Sequence, residues 1–362
     1  MFVLRQHLAL GTGLRTLTMV RSDLGTWQDR PYPSIQCSGS GFARVDMQGK
    51  GEDSFGDGKA LQGCYHKDSG VAYDEHSNEV YLAVRWNMST DLGDKDSPTH
   101  LVTFNPSNGQ IMSRSRQPLA YIPWALAVDP PRKRLLAVWV NDERKLHEVV
   151  VLDPVTGNHA ALIELPRDPF CTTQHAGDCR LAAPPWGKGM FDVQRRRWTL
   201  PLSTALNWNL TLVHVDVDRR SLREVAVPQV GYTGKYTFVT NTALDTQGGK
   251  LFIVALCAKR GLYSTSVLVR IDPDSGHIIE IPGATGIGWT TGGGNSVYDP
   301  HNSILYYIQW NTASFSERYI VALSTKGNGI IARQKAGSQM PPDLLLIAPN
   351  SNVTEEARAF LV

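Results

Sequence analysis

The chain has no apolar run near the roughly twenty residues that a membrane-spanning helix needs. It also lacks a dominant charge. Its 362 residues carry 36 basic and 34 acidic side chains, a net charge of +2. That balance gives no reason to expect DNA, RNA or anionic lipid as the main partner. The densest basic run, Arg195 to Arg197, reads as a solvated hairpin edge. No Gly-x-Ser-x-Gly elbow is present. The glycine-rich TTGGGNS at 290–296 lacks the Gly-Lys-Ser/Thr ending and the following helix of a phosphate loop. Cysteine is sparse, with five in the chain. Cys171 and Cys179 bracket the polar loop CTTQHAGDC, and Cys37 and Cys64 flank another irregular segment. Each pair is expected to close a disulfide, which leaves Cys257 in LFIVALCA as a buried thiol. Cys171, His175 and Cys179 are too few convergent ligands for zinc.

Two disulfides and sequons at Asn87, Asn209 and Asn352 lean towards a secreted glycoprotein. An organelle is the alternative, because MFVLRQHLALGTGLRTLTMVRSD carries Arg5, Arg15 and Arg21 and no acid before Asp23. Residues 1–33 are therefore set apart as an extension or targeting segment, and 34–362 are read as one domain.

What the chain does have is a repeat. Hydrophobic residues make up 42% and charged residues 19%, enough apolar content for a substantial core. The clearest unit is 241–281. It contains an alternating run to Asp245, a polar turn, LFIVALCA, a loop, a second alternation to Asp272, the turn DPDSG and a short apolar run. That is an up-and-down sheet of four strands. First-strand ends fall at Asp74, Asp129, Asp192, Asp245 and Asp299, spaced 55, 63, 53 and 54 residues apart. Third-strand ends fall at Asn105, Asp153, Asp216, Asp272 and Ser324. The long interval holds an insert at 166–188.

Such a period with four strands per unit predicts an all-β propeller of four-stranded antiparallel blades. Asp46 sits where a third-strand end belongs, and Ala348 where a first-strand end is due. The two termini are thus expected to share a blade, with outer strands from the N-terminus and inner strands from the C-terminus, Phe360 to Val362 starting the second. Six blades result, with seven as the alternative. Asp-Pro-x-x-Gly at the turns reads as hairpin chemistry: the carboxylate accepts backbone N–H groups, Pro fixes φ and Gly supplies φ > 0.

First strands line a propeller's channel. Residues four and five before each end should gather at one mouth, and these include Trp124, Lys188, Asn241, Asn295 and Asp343. The patterns Asn241-x-x-x-Asp245-x-x-Gly248-x-Lys250-Leu251-Phe252 and Asn295-x-x-x-Asp299, followed by Leu305-Tyr306, resemble blades of the gluconolactonase (regucalcin-like) and strictosidine-synthase-like six-bladed propellers. The resemblance implies a divalent cation such as calcium at the channel mouth, held by a Glu, Asn residues and an Asp. Asn241 and Asn295 would be ligands, with Asp343 as the acid. The chain departs from that pattern before Asp74, where Ser69 and Gly70 stand in place of a Glu.

Two functions follow as expectations. One is a monomeric binding propeller that recognises a protein, peptide or glycan through loops on one face. The loops at 86–100, 166–188 and 259–266 are its signals. The other is a metal-dependent hydrolase of the lactonase or esterase type.

Overall fold

The computed structural model describes residues 16–24, 37–46, 51–55, 63–65, 70–74, 76–86, 98–106, 110–141, 143–144, 146–167, 189–204, 209–231, 234–245, 249–257, 266–285, 289–290, 296–311, 314–327, 329–335 and 342–347. These residues form antiparallel sheets arranged as the blades of a β-propeller.

Five of the sheets are each built from one continuous stretch of chain. Blade 2 is the simplest example, with Pro123–Asp129, Arg134–Asn141, Leu146–Leu152 and His159–Glu164 in spatial order. Blade 3 follows with Met190–Asp192, Arg197–Ser203, Leu210–Asp216 and Ser221–Val227. Blade 4 comprises Tyr236–Asp245, Lys250–Cys257, Ser266–Ile271 and Ile278–Thr285. In blades 1 and 5 the innermost position is shared by two short segments. Gly63–Tyr65 and Val71–Asp74 both pair with Glu79–Trp86, and Trp289–Thr290 and Ser296–Asp299 both pair with Ile304–Asn311. Thr99–Phe104 and Ile111–Arg114 complete blade 1, and Ser314–Ser324 and Ile330–Lys335 complete blade 5. All five inner strands end at the aspartates read from the sequence.

A further sheet joins the two ends of the chain. Its innermost strand is Pro342–Ile347, followed by Thr16–Leu24, Cys37–Asp46 and Gly51–Phe55. The C-terminus does give the inner strand, and Asp46 does end a third strand. The second strand is a correction. It is Thr16–Leu24, a segment grouped above with the extension 1–33, and it pairs Leu17 with Ile347 on one side and Val45 on the other. Phe360 to Val362 lie outside the described residues. In this ring Pro342–Ile347 neighbours the inner strand of blade 5, and Cys37–Asp46 neighbours Gly63–Tyr65 of blade 1.

The core lies in the seams between blades, because both faces of each sheet meet another sheet. Trp139 and Leu101 pack in the seam between blades 1 and 2, and Trp198, Leu136 and Val213 in the seam between blades 2 and 3. Phe252, Tyr307 and Val321 fill the seam between blades 4 and 5. An outer strand can show the alternation of a sheet with one wet side: Ile111–Arg114 runs half-buried and exposed by turns.

The Asp-Pro-x-x-Gly turns perform a second task. Asp153 Oδ1 accepts the N–H groups of Val155 and Thr156, and Asp272 Oδ1 those of Asp274 and Ser275, which is the expected turn chemistry. The finished turn then docks on the outer edge of the preceding blade, on the outer strand or the residues just after it. Arg116 and Gln117 donate to the carbonyls of Val155 and Thr156 at 2.9 Å each. At Gly276, φ is +70°, and a Cβ would stand 2.2 Å from the carbonyl oxygen of Ala226 in blade 3. Gly276→Ala is therefore expected to cost about 2 kcal/mol, combining left-handed strain with a displaced backbone contact. Gly329→Ala, where the nearest atom stands at 3.0 Å, should cost less. Urea melts of the two variants check the ranking.

Candidate functional site

Each inner strand is held by hydrogen bonds to the second strand of its blade, and in blades 1, 2, 4 and 5 and the terminal sheet that ladder breaks at a common level, with a second break in blade 4 at Thr237. In blade 2, Val138 pairs with Ala125 and Trp139 with Pro123, so Trp124 is an extra, bulged residue. In blade 4, Ile253 pairs with Thr242 and Val254 with Thr240, which makes Asn241 the extra residue. In the terminal sheet, Val20 pairs with Leu344 and Arg21 with Pro342, and Asp343 is left over. Blades 1 and 5 show wider breaks. Leu82 pairs with Val71 and Val84 with Tyr65, and Tyr307 pairs with Ser296 and Gln309 with Thr290. Only Ala83 and Ile308 lie between those second-strand partners.

Each of these breaks comes at the residue four positions after the start of its second strand: Ala83 after Glu79, Val138 after Arg134, Val254 after Lys250, Ile308 after Ile304, and Val20 after Thr16. Blade 3 is described on its inner strand only from Gly189, short of this level.

A bulge leaves one residue outside the ladder, bends the strand and re-aims its side chain, and bulges concentrate beside functional sites. Three of the sequence candidates, Trp124, Asn241 and Asp343, are thus bulge residues, and Asn295 directly precedes the residue where the blade 5 ladder restarts. Lys188 and Asn295 themselves lie outside the described residues, as do the side chains of Asn241 and Asp343.

The environment of Trp124 is fully visible. Its indole Nε1–H donates to His147 Nδ1 at 3.1 Å, and the two rings meet edge to face at 5.5 Å. The ring packs against the apolar cluster between blades 2 and 3. The structure therefore ties Trp124 to the third strand of its own blade. Gly70, four residues before Asp74, is equally informative. Its N–H donates to the Pro123 carbonyl at 2.7 Å, and a Cβ there would stand 2.5 Å from the backbone of Ala125 and Leu126. No side chain, and so no metal-binding Glu, fits at that point of blade 1.

Other polar side chains serve the seams. Asp129 is buried and accepts from Arg134 Nε at 2.7 Å in its own blade; Arg196 Nη1 and Nη2 of blade 3 bind both of its oxygens. Arg196 also reaches Asp218, which Arg132 of blade 2 holds at 2.8 Å. His214 is buried between Thr199 Oγ1 at 2.9 Å and the Pro273 carbonyl at 2.7 Å, so blades 3 and 4 are joined through an imidazole that donates from Nε2. Burial pushes its pKa below the ordinary value. Arg197 pairs with Asp274 at 2.5 Å across the same seam.

On blade 2, Glu148 accepts from Trp139 Nε1, Asn141 Nδ2 and Arg144 Nη1 and so fixes the end of the second strand. The pairings between blades, Arg196 with Asp129, His214 with Pro273 and Arg197 with Asp274, carried no signal in the sequence, because each depends on which blades become neighbours. Among the described residues, no three His, Cys, Asp or Glu side chains converge on a point where they would hold a metal ion. No helix among them is long and apolar enough to cross a membrane. Of the three sequons, Asn209 is described and exposed; Asn87 and Asn352 lie outside the described residues, as do Cys171, Cys179 and the side chains of Cys37, Cys64 and Cys257.

No known family profile matches the chain, and no curated protein sequence matches it. Solved structures do. A structure from a nidogen–laminin complex superposes with a TM-score of 0.56 at 13% identity, covering 92% of this chain and 98% of that one. TolB from Acinetobacter baumannii gives 0.53 at 12% identity, covering 94% and 68%. The periplasmic gluconolactonase PpgL of Pseudomonas aeruginosa gives 0.51 at 13% identity, covering 92% and 100%. At these identities the similarity establishes the propeller fold and leaves the activity open.

Proposed function

We propose that this protein is a monomeric, six-bladed binding propeller that recognises a protein, peptide or glycan at the face where its inner strands begin. The observation that carries the proposal is the common level of the ladder breaks. Residues outside a ladder leave backbone N–H and C=O groups without their strand partners, and such groups need a ligand, a side chain or water. Gathered at one level round a channel, they form a built-in set of donors and acceptors, with Lys188, Asn241, Asn295 and Asp343 at the same end. The strands that bound the loops at 86–100, 166–188 and 259–266 end on this face, and the proposal assigns those loops to its surface. The sixth blade is the sheet shared by the two termini.

Among the superposed structures, TolB and PpgL share the fold, and PpgL is described as periplasmic. We place this chain in a secretory or extracellular setting on that basis together with its sequons. Disulfides Cys37–Cys64 and Cys171–Cys179 belong to the same proposal. Non-reducing mass spectrometry that finds five free thiols would remove them.

Peptide and glycan arrays screened with the purified protein should yield a ligand. For that ligand, Asn241→Ala and Asp343→Ala should each weaken binding about tenfold, the effect of losing one well-placed polar contact, without lowering the melting temperature. Undiminished binding by both variants would move the site away from the ladder breaks.

One observation favours a second reading, a metal-dependent hydrolase of the lactonase or esterase type. Asn241 and Asp343, an amide and a carboxylate, bulge at the same level, and Asn295 stands beside the restart of blade 5. Oxygen ligands of this kind suit calcium, although a single carboxylate makes a weak site. Metal analysis of the pure protein decides. A stoichiometric divalent ion that is lost in Asn241→Ala supports this reading, and no ion together with no change in melting temperature on adding calcium or EDTA eliminates it.

A further inference from the structure

The opposite face of the ring, where the first and second strands of each blade turn, holds a cavity of about 500 Å³ between blades 1 and 2. Asp74, His76, Glu79 and Tyr81 line it from blade 1, and Lys133 and Arg134 from blade 2. Its meaning comes from comparison with the next seam. The residue just before each second strand adopts a left-handed conformation: Asn78, Lys133, Arg196, Gly249 and Ser303 in blades 1 to 5, with φ between 48° and 60°. Asn78 uses its side chain within blade 1, on Tyr73 and Asn105, whereas Arg196 reaches back to the aspartate that ends the inner strand of the preceding blade. Between blades 2 and 3 that position is Arg196, whose guanidinium forks Asp129, and Arg134 at the start of the second strand adds a second guanidinium.

Between blades 1 and 2 both cations are changed. The counterpart of Arg196 is Lys133, which makes no ion pair with Asp74, and the counterpart of Arg134 is Glu79, of opposite charge. Arg134 itself donates to Asp129 through Nε, while its buried Nη2 makes no hydrogen bond among the described residues. Asp74 accepts one backbone N–H, from His76, on Oδ1. Glu79 accepts Ser77 and Tyr81 hydroxyls on Oε2, at 3.1 and 2.7 Å. Asp74 Oδ2 and Glu79 Oε1 have no hydrogen bond among the described residues. Two carboxylates and an aromatic ring thus border a space that one blade further on is filled by a guanidinium.

We infer that the cavity between blades 1 and 2 binds a guanidinium cation, which donates to Asp74 and Glu79 as Arg196 and Arg134 donate to Asp129. A planar fork matches a carboxylate in a way that the ammonium of Lys133 does not. The site lies on the other face from the ladder breaks and stands independently of the function proposed above.

The test titrates the full chain with N-acetyl-arginine amide and with its neutral counterpart N-acetyl-citrulline amide, followed by calorimetry. Saturable binding of the arginine compound alone is expected. Asp74→Asn and Glu79→Gln should each weaken it about tenfold, the loss of one charge-assisted hydrogen bond. Lys133→Arg is the decisive variant and carries little risk to folding. It should install the missing fork, raise the melting temperature and abolish arginine binding. Tighter binding of the peptide Gly-Gly-Arg-Gly-Gly than of arginine amide assigns the guanidinium to a partner chain, and equal binding assigns it to a small molecule. Equal binding of citrulline, no saturable binding of either compound, or full binding by Lys133→Arg overturns the inference.

Discussion

Deleting residues 342–362 is expected to convert the protein from a folded species into aggregate. The deletion removes Pro342–Ile347, the innermost strand of the terminal sheet, which pairs Leu17 to Val20 of the second strand with Ile347 to Leu344. Without it, the inner edge of Thr16–Leu24 presents a row of unpaired backbone donors and acceptors, a ready template for another chain. The damage spreads to the neighbours. Pro342–Ile347 also lies against the inner strand of blade 5, so one side of that blade loses its cover. A ring closed by strands from both ends has no weak edge while it is closed and two when it is cut. Size-exclusion chromatography with light scattering reads the outcome. A monomeric truncation with wild-type circular dichroism and melting temperature would mean that the terminal sheet contributes little to closure.

The same sheet marks where the sequence was readable and where it was not. The five inner-strand aspartates and the third-strand ends were legible because a strand end and its turn are local events, fixed by Asp, Pro and Gly within a few residues. Thr16–Leu24 was not. Its TLTMVRSDL has apolar Leu17, Met19 and Leu24 but also Arg21 beside Val20 and no turn motif nearby, and it follows an arginine-bearing start that resembles a leader. Its identity as a strand depends on Leu344 to Ile347, more than three hundred residues away. The candidate site divides the same way. Spacing from the aspartates placed Trp124, Asn241 and Asp343 at one end of the channel. That all three are bulges was hidden, since a bulge is a property of register between two strands. Trp124 was read as a channel residue on spacing alone, and only the third strand, through His147, shows where its indole goes. The seam contacts were illegible for a further reason. Arg196 finds Asp129 across 67 positions because blade 3 follows blade 2 round the ring, and no pattern local to either residue encodes that.

Asp129→Ala should be the most destabilising exchange of a single polar side chain on the Asp-turn face, by about 3 kcal/mol. The Asp129 carboxylate has no exposure, and its two arginine partners keep about a fifth of theirs. Removing it leaves two guanidiniums crowded together with one shared acid remaining, Asp218, which stands 3.9 Å from Arg134 and 3.2 Å from Arg196. Breaking a buried pair by deleting one member typically costs about 3–5 kcal/mol, and partial solvation of the arginines argues for the lower end. The same ion group makes stability pH-dependent. Burial pushes the Asp129 carboxyl up, and the hydrogen bonds and charge of Arg196 and Arg134 outweigh it, holding the group below its ordinary range. A carboxylate depressed in the folded state stabilises fully above its unfolded value near 3.9 and loses that contribution as pH falls through the folded value. Wild-type stability from urea melts should therefore drop as the pH is lowered from about 5 to below 4. Asp129→Ala, already without the pair, should show a flatter profile over that range. Asp129→Asn provides the control for shape: it keeps the volume and one acceptor oxygen, so it should lie between the two in stability and share the flatter profile. If Asp129→Ala melted like the wild type at pH 7, the clasp between blades 2 and 3 would be a consequence of the apolar seam around Trp198 and contribute nothing of its own.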